Sequence, residues 1–267
     1  MPLTTLILLA VVQGLTEFLP ISSSGHLVLL PALMGSPDQG LALDVAVHVG
    51  SLVAVVLYYW ADVKRALRGA GQVARFQVHN ADGFLALSLV VATLPVIVVG
   101  AVLKLTGLVD MMRSIEVIGW TMLIFGIVLY IADKRGAEVK RAEGWLLKDA
   151  LIMGLWQVLA LIPGTSRAGI TITGARFLGY ERHDAARLAM LMSIPAIVAS
   201  GTLLSIDLIG DATGALLRDA AIAAAFSFVA AYAALALMIR LLNAVSFTPY
   251  VIYRCVLGVV LLGIAYT

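Results

Sequence analysis

Two long apolar stretches of this chain are broken in their middles by polar loops, and those breaks constrain the fold more than any other feature. Residues 3–34 are interrupted by PISSSGH, and residues 149–180 by PGTSRAG. The arms on either side of each break are too short to cross the roughly 30 Å hydrocarbon core of a bilayer. Backbone groups freed by proline and glycine at membrane depth must be buried in protein or face a water-filled cavity. Both segments are therefore expected to be re-entrant helix–loop–helix hairpins.

The bilayer itself is implied by composition. The 267 residues are 61% hydrophobic and 13% charged, with a mean hydropathy of +1.02. Soluble domains are roughly 45–50% apolar and about 25% charged. Six further runs, at about 43–60, 84–103, 115–132, 186–206, 219–242 and 249–266, are uninterrupted and long enough to span. The expected fold is an all-α polytopic membrane protein, one domain over 1–267, with about six transmembrane helices plus the two hairpins. A net charge of +2 gives no reason to expect a nucleic-acid partner. Cys255 is the single cysteine, so no disulfide framework or thiolate metal site is expected. The N-terminus lacks a basic n-region, and no cleavable signal peptide is expected.

Charge placement orients the spans. Loop 61–83 carries Lys64, Arg65, Arg68 and Arg75, and loop 133–148 carries Lys134, Arg135, Lys140, Arg141 and Lys148. Loop 207–218 holds Asp207 and Asp211 with only Arg218. The positive-inside rule places the first two in the cytoplasm and the third outside. Span parity then closes only if each hairpin returns to the side it came from, the first dipping in from outside and the second from the cytoplasm, with both termini outside. Two similar segments dipping in from opposite sides indicate an inverted repeat, with halves of about 1–132 and 149–267. Pro20 and Pro163 open the two breaks, each after an apolar helix carrying a glutamine, Gln13 or Gln157. Downstream, TLPVIVVG (93–100) is similar to SIPAIVASG (193–201), leaving 43–60 and 249–266 as extra spans. Such repeats meet near the bilayer midplane, where broken helices build a site.

Ionisable groups at membrane depth are costly and mark function. Gln13 and Glu17, four apart, share one helix face. Ser22, Ser23, Ser24 and Gly25 form a short loop whose amides suit an anion, and His26 follows within a turn. Gly164, Thr165, Ser166, Arg167 and Gly169 repeat the design around a guanidinium, with Thr171 and Thr173 beyond. Arginine grips phosphate oxygens in a planar fork, and helix N-termini add donors. Serine or histidine can attack phosphorus, histidine can move a proton, and Glu17 can act as base, orient the histidine or hold a hard divalent cation. These are parts for phosphoryl transfer on a lipid-tailed substrate. A buried structural ion pair is the plain alternative for Glu17 with Arg167. His48 is read as a span residue that could serve as a ligand or in catalysis, Asp44 as a cap of its helix, and Arg254 as snorkelling or bonding inside the bundle. His79 and His183 are read as solvated surface.

QGLTEFLPISSSGHL and PGTSRAGITITG resemble the two signature stretches of the bacterial undecaprenyl-pyrophosphate phosphatase family, the bacitracin-resistance phosphatases. The resemblance runs over nearly the whole chain and includes FTPYVIYRCVLG near the end. It implies an inverted-repeat bundle with two re-entrant hairpins and hydrolysis of undecaprenyl pyrophosphate to undecaprenyl phosphate and inorganic phosphate. That reaction recycles the lipid carrier of cell-wall polymers and confers bacitracin resistance. The resemblance also implies a bacterial inner-membrane location, a site opening to the outer face, and a Mg2+ or Ca2+ requirement. The partners expected are the polyprenyl pyrophosphate and membrane lipids, with a homodimer left open.

By position, Gln13 and Glu17 match the acidic motif, Ser23 and His26 the serine–histidine stretch, and Ser166, Arg167 and Thr171 the second motif. Gln13 stands where many members have Glu, and Ala168 where the second motif usually has Ser. The expected catalytic residues are Glu17, Ser23, His26 and Arg167. Ser23 is expected as nucleophile with His26 as its proton partner, and a histidine nucleophile is the alternative. Gln13, Ser22, Ser24, Gly25, Gly164, Thr165, Ser166 and Thr171 are expected to bind substrate, and Glu17 with Gln13 to hold the cation. The rival reading is a carrier of polyprenyl phosphate, which needs the arginine and the loop amides but has little use for a nucleophile and base. A channel is disfavoured, because no ring of like charges lines a pore.

Overall fold

A computed structural model describes residues 2–34, 40–108, 112, 114–205 and 214–267. Asp207 and Asp211, on which part of the expected orientation rests, lie outside the described residues. Eleven α-helices run through them: α1 (Leu3–Glu17), α2 (Ser23–Met34), α3 (Leu41–Tyr58), α4 (Trp60–Ala74), α5 (Ala81–Thr106), α6 (Ile115–Arg135), α7 (Leu147–Val158), α8 (Arg167–Phe177), α9 (Arg182–Ser205), α10 (Gly214–Leu241) and α11 (Thr248–Tyr266). Six of them, α3, α5, α6, α9, α10 and α11, are long and apolar enough to cross a membrane. They fall on the six expected runs, and the chain is a multi-pass membrane protein.

The broken segments are the hairpins α1–α2 and α7–α8. Their arms have 15, 12, 12 and 11 residues, about 22 Å at most at 1.5 Å per residue. These lengths fall short of the bilayer core and fit re-entrant hairpins. Both tips use left-handed backbone at a serine placed just before the returning helix: Ser22 has φ 73° and Ser166 φ 69°. The two loops are thus the same device built twice, SSSG leading into α2 and SRAG into α8.

Helix packing repeats in the same sense. Helix α1 lies against α10 as α7 lies against α5; α3 lies against α10 as α9 lies against α5; α6 and α11 pair across the middle. An exchange of halves that pairs α3 with α9, α5 with α10 and α6 with α11 maps the first four of these contacts onto one another and the α6–α11 contact onto itself. This register differs from the one suggested by TLPVIVVG and SIPAIVASG, and it leaves no extra spans. Short apolar strings match by chance, whereas a helix-crossing point is a steric fact. Gly14 and Gly154 mark equivalent crossings, each in a Gly-Leu-x-Glu/Gln string. A Cβ on Gly14 would sit 2.5 Å from the Ser227 carbonyl oxygen, and one on Gly154 2.5 Å from that of Ala92. Small residues let membrane helices approach this closely. Gly14→Ala and Gly154→Ala are each expected to destabilise by about 1–3 kcal/mol through overpacking, read as a lower thermal midpoint in detergent.

The basic loops gather at one end of the bundle. Arg187, at the start of α9, is 2.7 Å from Asp62 and 2.8 Å from Glu143, joining both loops. At the same end Asp133 pairs with Arg176 and Arg182, and Lys140 with Asp149. The first of these loops is largely helical: α4 is amphipathic, its Trp60 and Leu67 exposed beside Lys64 and Arg68. Mixed polar and apolar residues there read as loop in sequence but suit a helix lying on a membrane surface. Asp44 is not the cap of α3; that position is Gly40, and Asp44 sits in the first turn. His79 and His183 are exposed, as expected.

Candidate active site

The hairpin tips meet. The Gly164 amide donates to Ser24 Oγ at 3.3 Å, and Arg167 of the second tip pairs with Glu17 Oε1 of the first. The other carboxylate oxygen of Glu17 accepts Ser23 Oγ–H at 2.6 Å and Gln13 Nε2–H at 2.8 Å. The i, i+4 spacing on α1 that aligned Gln13 with Glu17 thus becomes a hydrogen bond. Glu17 ends α1, Ser23 starts α2 and Arg167 starts α8. Two helix N-termini therefore lie beside a buried carboxylate and a guanidinium, and the positive end of a helix favours an anion. Left-handed serines cost about 1–3 kcal/mol each and persist where the surroundings over-determine them.

The remaining expected residues divide by what their polar atoms do. Ser22 Oγ lies 3.2 Å from Ser24 Oγ, and Ser24 is exposed. Ser166 caps α8, its Oγ accepting from the Gly169 amide at 3.1 Å. Gly164 takes φ 85°, open to glycine at little cost, and a Cβ there would meet Ile118 and Thr121. Gly25 packs against Ile118 and Met122. Thr165 is fully buried, and its hydroxyl has no partner among the described residues. Thr171 was expected to bind substrate, but it is fully buried and its Oγ1–H donates to the Arg167 carbonyl at 2.7 Å. A hydroxyl bonded back to its own helix is spent on structure. Ala168 is buried and places no hydroxyl beside Arg167.

His26 is not bonded to Ser23, contrary to expectation. Its Nδ1 is 2.6 Å from the Ser22 carbonyl oxygen and its Nε2 2.6 Å from Tyr253 Oη. A carbonyl only accepts, so Nδ1 carries the proton and, in the neutral ring, Nε2 accepts from the phenol. The rings are stacked, with centroids 5.6 Å apart. The expected serine–histidine pair is thus a serine–glutamate pair, because the α2 helical turn points His26 back at the loop carbonyl and across to α11.

Three residues join the site from outside the two motifs. Tyr253 and Arg254 come from α11; Arg254 is fully buried and bonds inside the bundle, the second of its two expected readings. His48 of α3 brings Nε2 to 3.7 Å from Glu17 Oε2. The sequence signal for all three was a polar group within an apolar span, which identifies a buried residue without naming its partner. Among the described residues no group of three or more His, Cys, Asp or Glu is placed to hold a metal.

Comparison with known proteins bears on the same residues. A family model described as bacitracin resistance protein BacA matches residues 6–260. An undecaprenyl-diphosphatase of Roseobacter denitrificans is 64% identical over 267 residues, 100% of both chains. Proteins of that name from Dinoroseobacter shibae and Jannaschia sp. are 64% and 62% identical, again over 100% of both chains. With the paired tips, the Glu17–Ser23–Arg167 contact and a match across almost the whole length, this chain belongs to the bacitracin resistance protein BacA family.

Proposed function

We propose that the protein is a membrane phosphatase that hydrolyses undecaprenyl pyrophosphate to undecaprenyl phosphate and inorganic phosphate, in keeping with the name undecaprenyl-diphosphatase that its relatives carry. The single observation that carries this reading is the 2.6 Å hydrogen bond from Ser23 Oγ to Glu17, set beside Arg167 between two helix N-termini. A nucleophile must lie within hydrogen-bond reach of its base, and phosphoryl transfer otherwise needs positioning and charge stabilisation. A carrier would use the cationic site but has no task for the Ser23–Glu17 pair.

The pyrophosphate enters at the tips, where Arg167 exchanges Glu17 for phosphate oxygens and the amides at the starts of α2 and α8 take others. Ser23 Oγ attacks the terminal phosphorus and its proton passes to Glu17. The bond from that phosphorus to the bridging oxygen breaks, and undecaprenyl phosphate leaves with the electron pair. Water then attacks the phosphoserine as Glu17 returns its proton to the departing Ser23 Oγ, releasing inorganic phosphate that keeps the water's protons and restoring both the hydroxyl and the carboxylate. Both His26 ring nitrogens are already engaged, which disfavours histidine as the nucleophile.

Gln13 and Glu17 are the residues that would hold a divalent cation. Gln13 Oε1 is buried with no partner among the described residues, and oxygen donors suit Mg2+ or Ca2+, which take further oxygens from substrate phosphates. When bound, the cation supplies charge neutralisation at those oxygens. The clustering of the basic loops at one end supports a cytoplasmic assignment for that end. The first hairpin and its site then open to the outer face of a bacterial inner membrane.

Phosphate release from farnesyl or undecaprenyl pyrophosphate by detergent-purified protein, with and without Mg2+, tests the reading. Cation-dependent turnover is expected. No turnover by folded protein on either lipid would favour the carrier, with translocation in liposomes as the next assay. Ser23→Ala is expected to lower turnover by about 10³-fold or more, since nucleophile and base act as a unit. Rapid quench should trap phosphate on Ser23; phosphate on neither Ser23 nor His26 would point to direct attack by water.

A further inference from the structure

We infer that Arg254 is a positioning residue of this phosphatase, whose guanidinium sets the spacing between Ser23 and Arg167 by binding main-chain carbonyls of both hairpin tips. The inference rests on the proposed function. Arg254 is fully buried. From one side its Nη1 donates to the Pro20 carbonyl at 3.4 Å. From the other its Nη2 reaches the carbonyls of Gly164 at 3.3 Å and Thr165 at 2.8 Å. Its Nε and Nη2 also reach Met122 and Thr121 of α6, at 3.3 and 3.4 Å. One planar fork thus ties the first tip, the second tip and a spanning helix together.

A buried cation ordinarily pairs with a carboxylate, yet among the described residues every hydrogen-bond partner of this guanidinium is a backbone carbonyl. Such an arrangement secures geometry, because five N–H donors in a rigid fork fix several acceptors at once. The loops that it holds need holding. Ser22 and Ser166 are left-handed within a few residues of the bonded carbonyls, and strained loops relax unless restrained. Room for the guanidinium is provided by Gly169: a Cβ there would lie 2.7 Å from Nη1. Arg254 acts through the tips and does not touch the reacting groups.

The test compares Arg254→Lys, Arg254→Gln and Gly169→Ala with wild type in detergent. Lysine keeps the charge but offers a single point donor, and Gly169→Ala displaces the guanidinium without removing it. Each is expected to lower kcat by about 10²-fold, the scale of a 1 Å misplacement, while KM for farnesyl pyrophosphate stays within about threefold of wild type, as expected when kcat is lost without uniform binding. Added methylguanidinium should restore part of kcat to Arg254→Ala. Amide hydrogen exchange, which needs no turnover, should quicken together in segments 20–25 and 163–169 of Arg254→Gln. Wild-type kcat in Arg254→Lys and Gly169→Ala, or a raised KM at unchanged kcat, would overturn the inference. If the Arg254 variants do not fold, Gly169→Ala still overturns the inference by wild-type kcat, and supports it only if exchange also quickens in segment 20–25, which the Cβ's second neighbour, Ser166 at 3.2 Å, does not touch. Absence of turnover in wild type would count against the proposed function, and the exchange measurement would still decide whether Arg254 holds the tips.

Discussion

Replacing Glu17 by Gln is expected to lower phosphate release by roughly 10²–10⁴-fold, the span of a lost general base. The amide has the shape of the carboxylate and keeps a hydrogen bond within reach of Ser23, but it cannot take the serine proton. It also leaves Arg167 without its anion. The effect should lie in kcat, read from initial rates over a substrate series at fixed cation concentration. Were kcat unchanged and only KM raised, Glu17 would be a binding residue and the Ser23–Glu17 hydrogen bond a structural one. Glutamine already stands at the equivalent place in the second hairpin, where Gln157 donates to the Ala92 carbonyl at 3.4 Å. The two tips share a backbone design, but only the first carries a base.

Arg167→Ala is expected to cost about 10²–10³-fold in kcat, as when one pre-set donor to developing charge is removed, and to raise KM as well. Arg167→Lys should recover only part of this, since a point charge does not reproduce a fork on phosphate oxygens. The same change carries a stability signature. Glu17 keeps only 3% of its side-chain surface and Arg167 20%, so deleting the arginine strands a buried carboxylate, at a cost of up to about 3–5 kcal/mol. The double variant Glu17→Gln with Arg167→Ala should regain much of the thermal midpoint in detergent and none of the activity. Recovery of both would mean that the pair is structural and that catalysis lies elsewhere.

The expectations that held were those that depend on local chemistry. A run of about 20 apolar residues is a span wherever it packs, and all six fell where the hydropathy placed them. Proline and glycine among serines at membrane depth must bend the chain, and both breaks became hairpin tips. Glu17, Ser23 and Arg167 converged because a charged group in lipid needs a partner and few were on offer. The readings that failed required knowing which way a side chain or a helix face points. His26 was paired with Ser23 by proximity in sequence, yet three residues along a helix turn the ring away from the loop hydroxyl and toward Tyr253. Thr171 carries a motif hydroxyl, but its place inside α8 leaves that hydroxyl to its own backbone. The repeat register read from two apolar strings gave way to the one set by the glycine crossings at Gly14 and Gly154.

The sequence by itself therefore determined the solvent, the number of spans, the two broken segments and the chemical types gathered in them, because hydrophobicity, backbone restriction and charge act through each residue's own atoms. Only the tertiary structure decided which hydroxyl faces which base, that α11 reaches between the tips with Arg254, and that Tyr253 rather than Ser23 meets His26. Those outcomes depend on helix crossings, rotation and depth, which arise from packing among all the helices and are written in no single stretch of the chain.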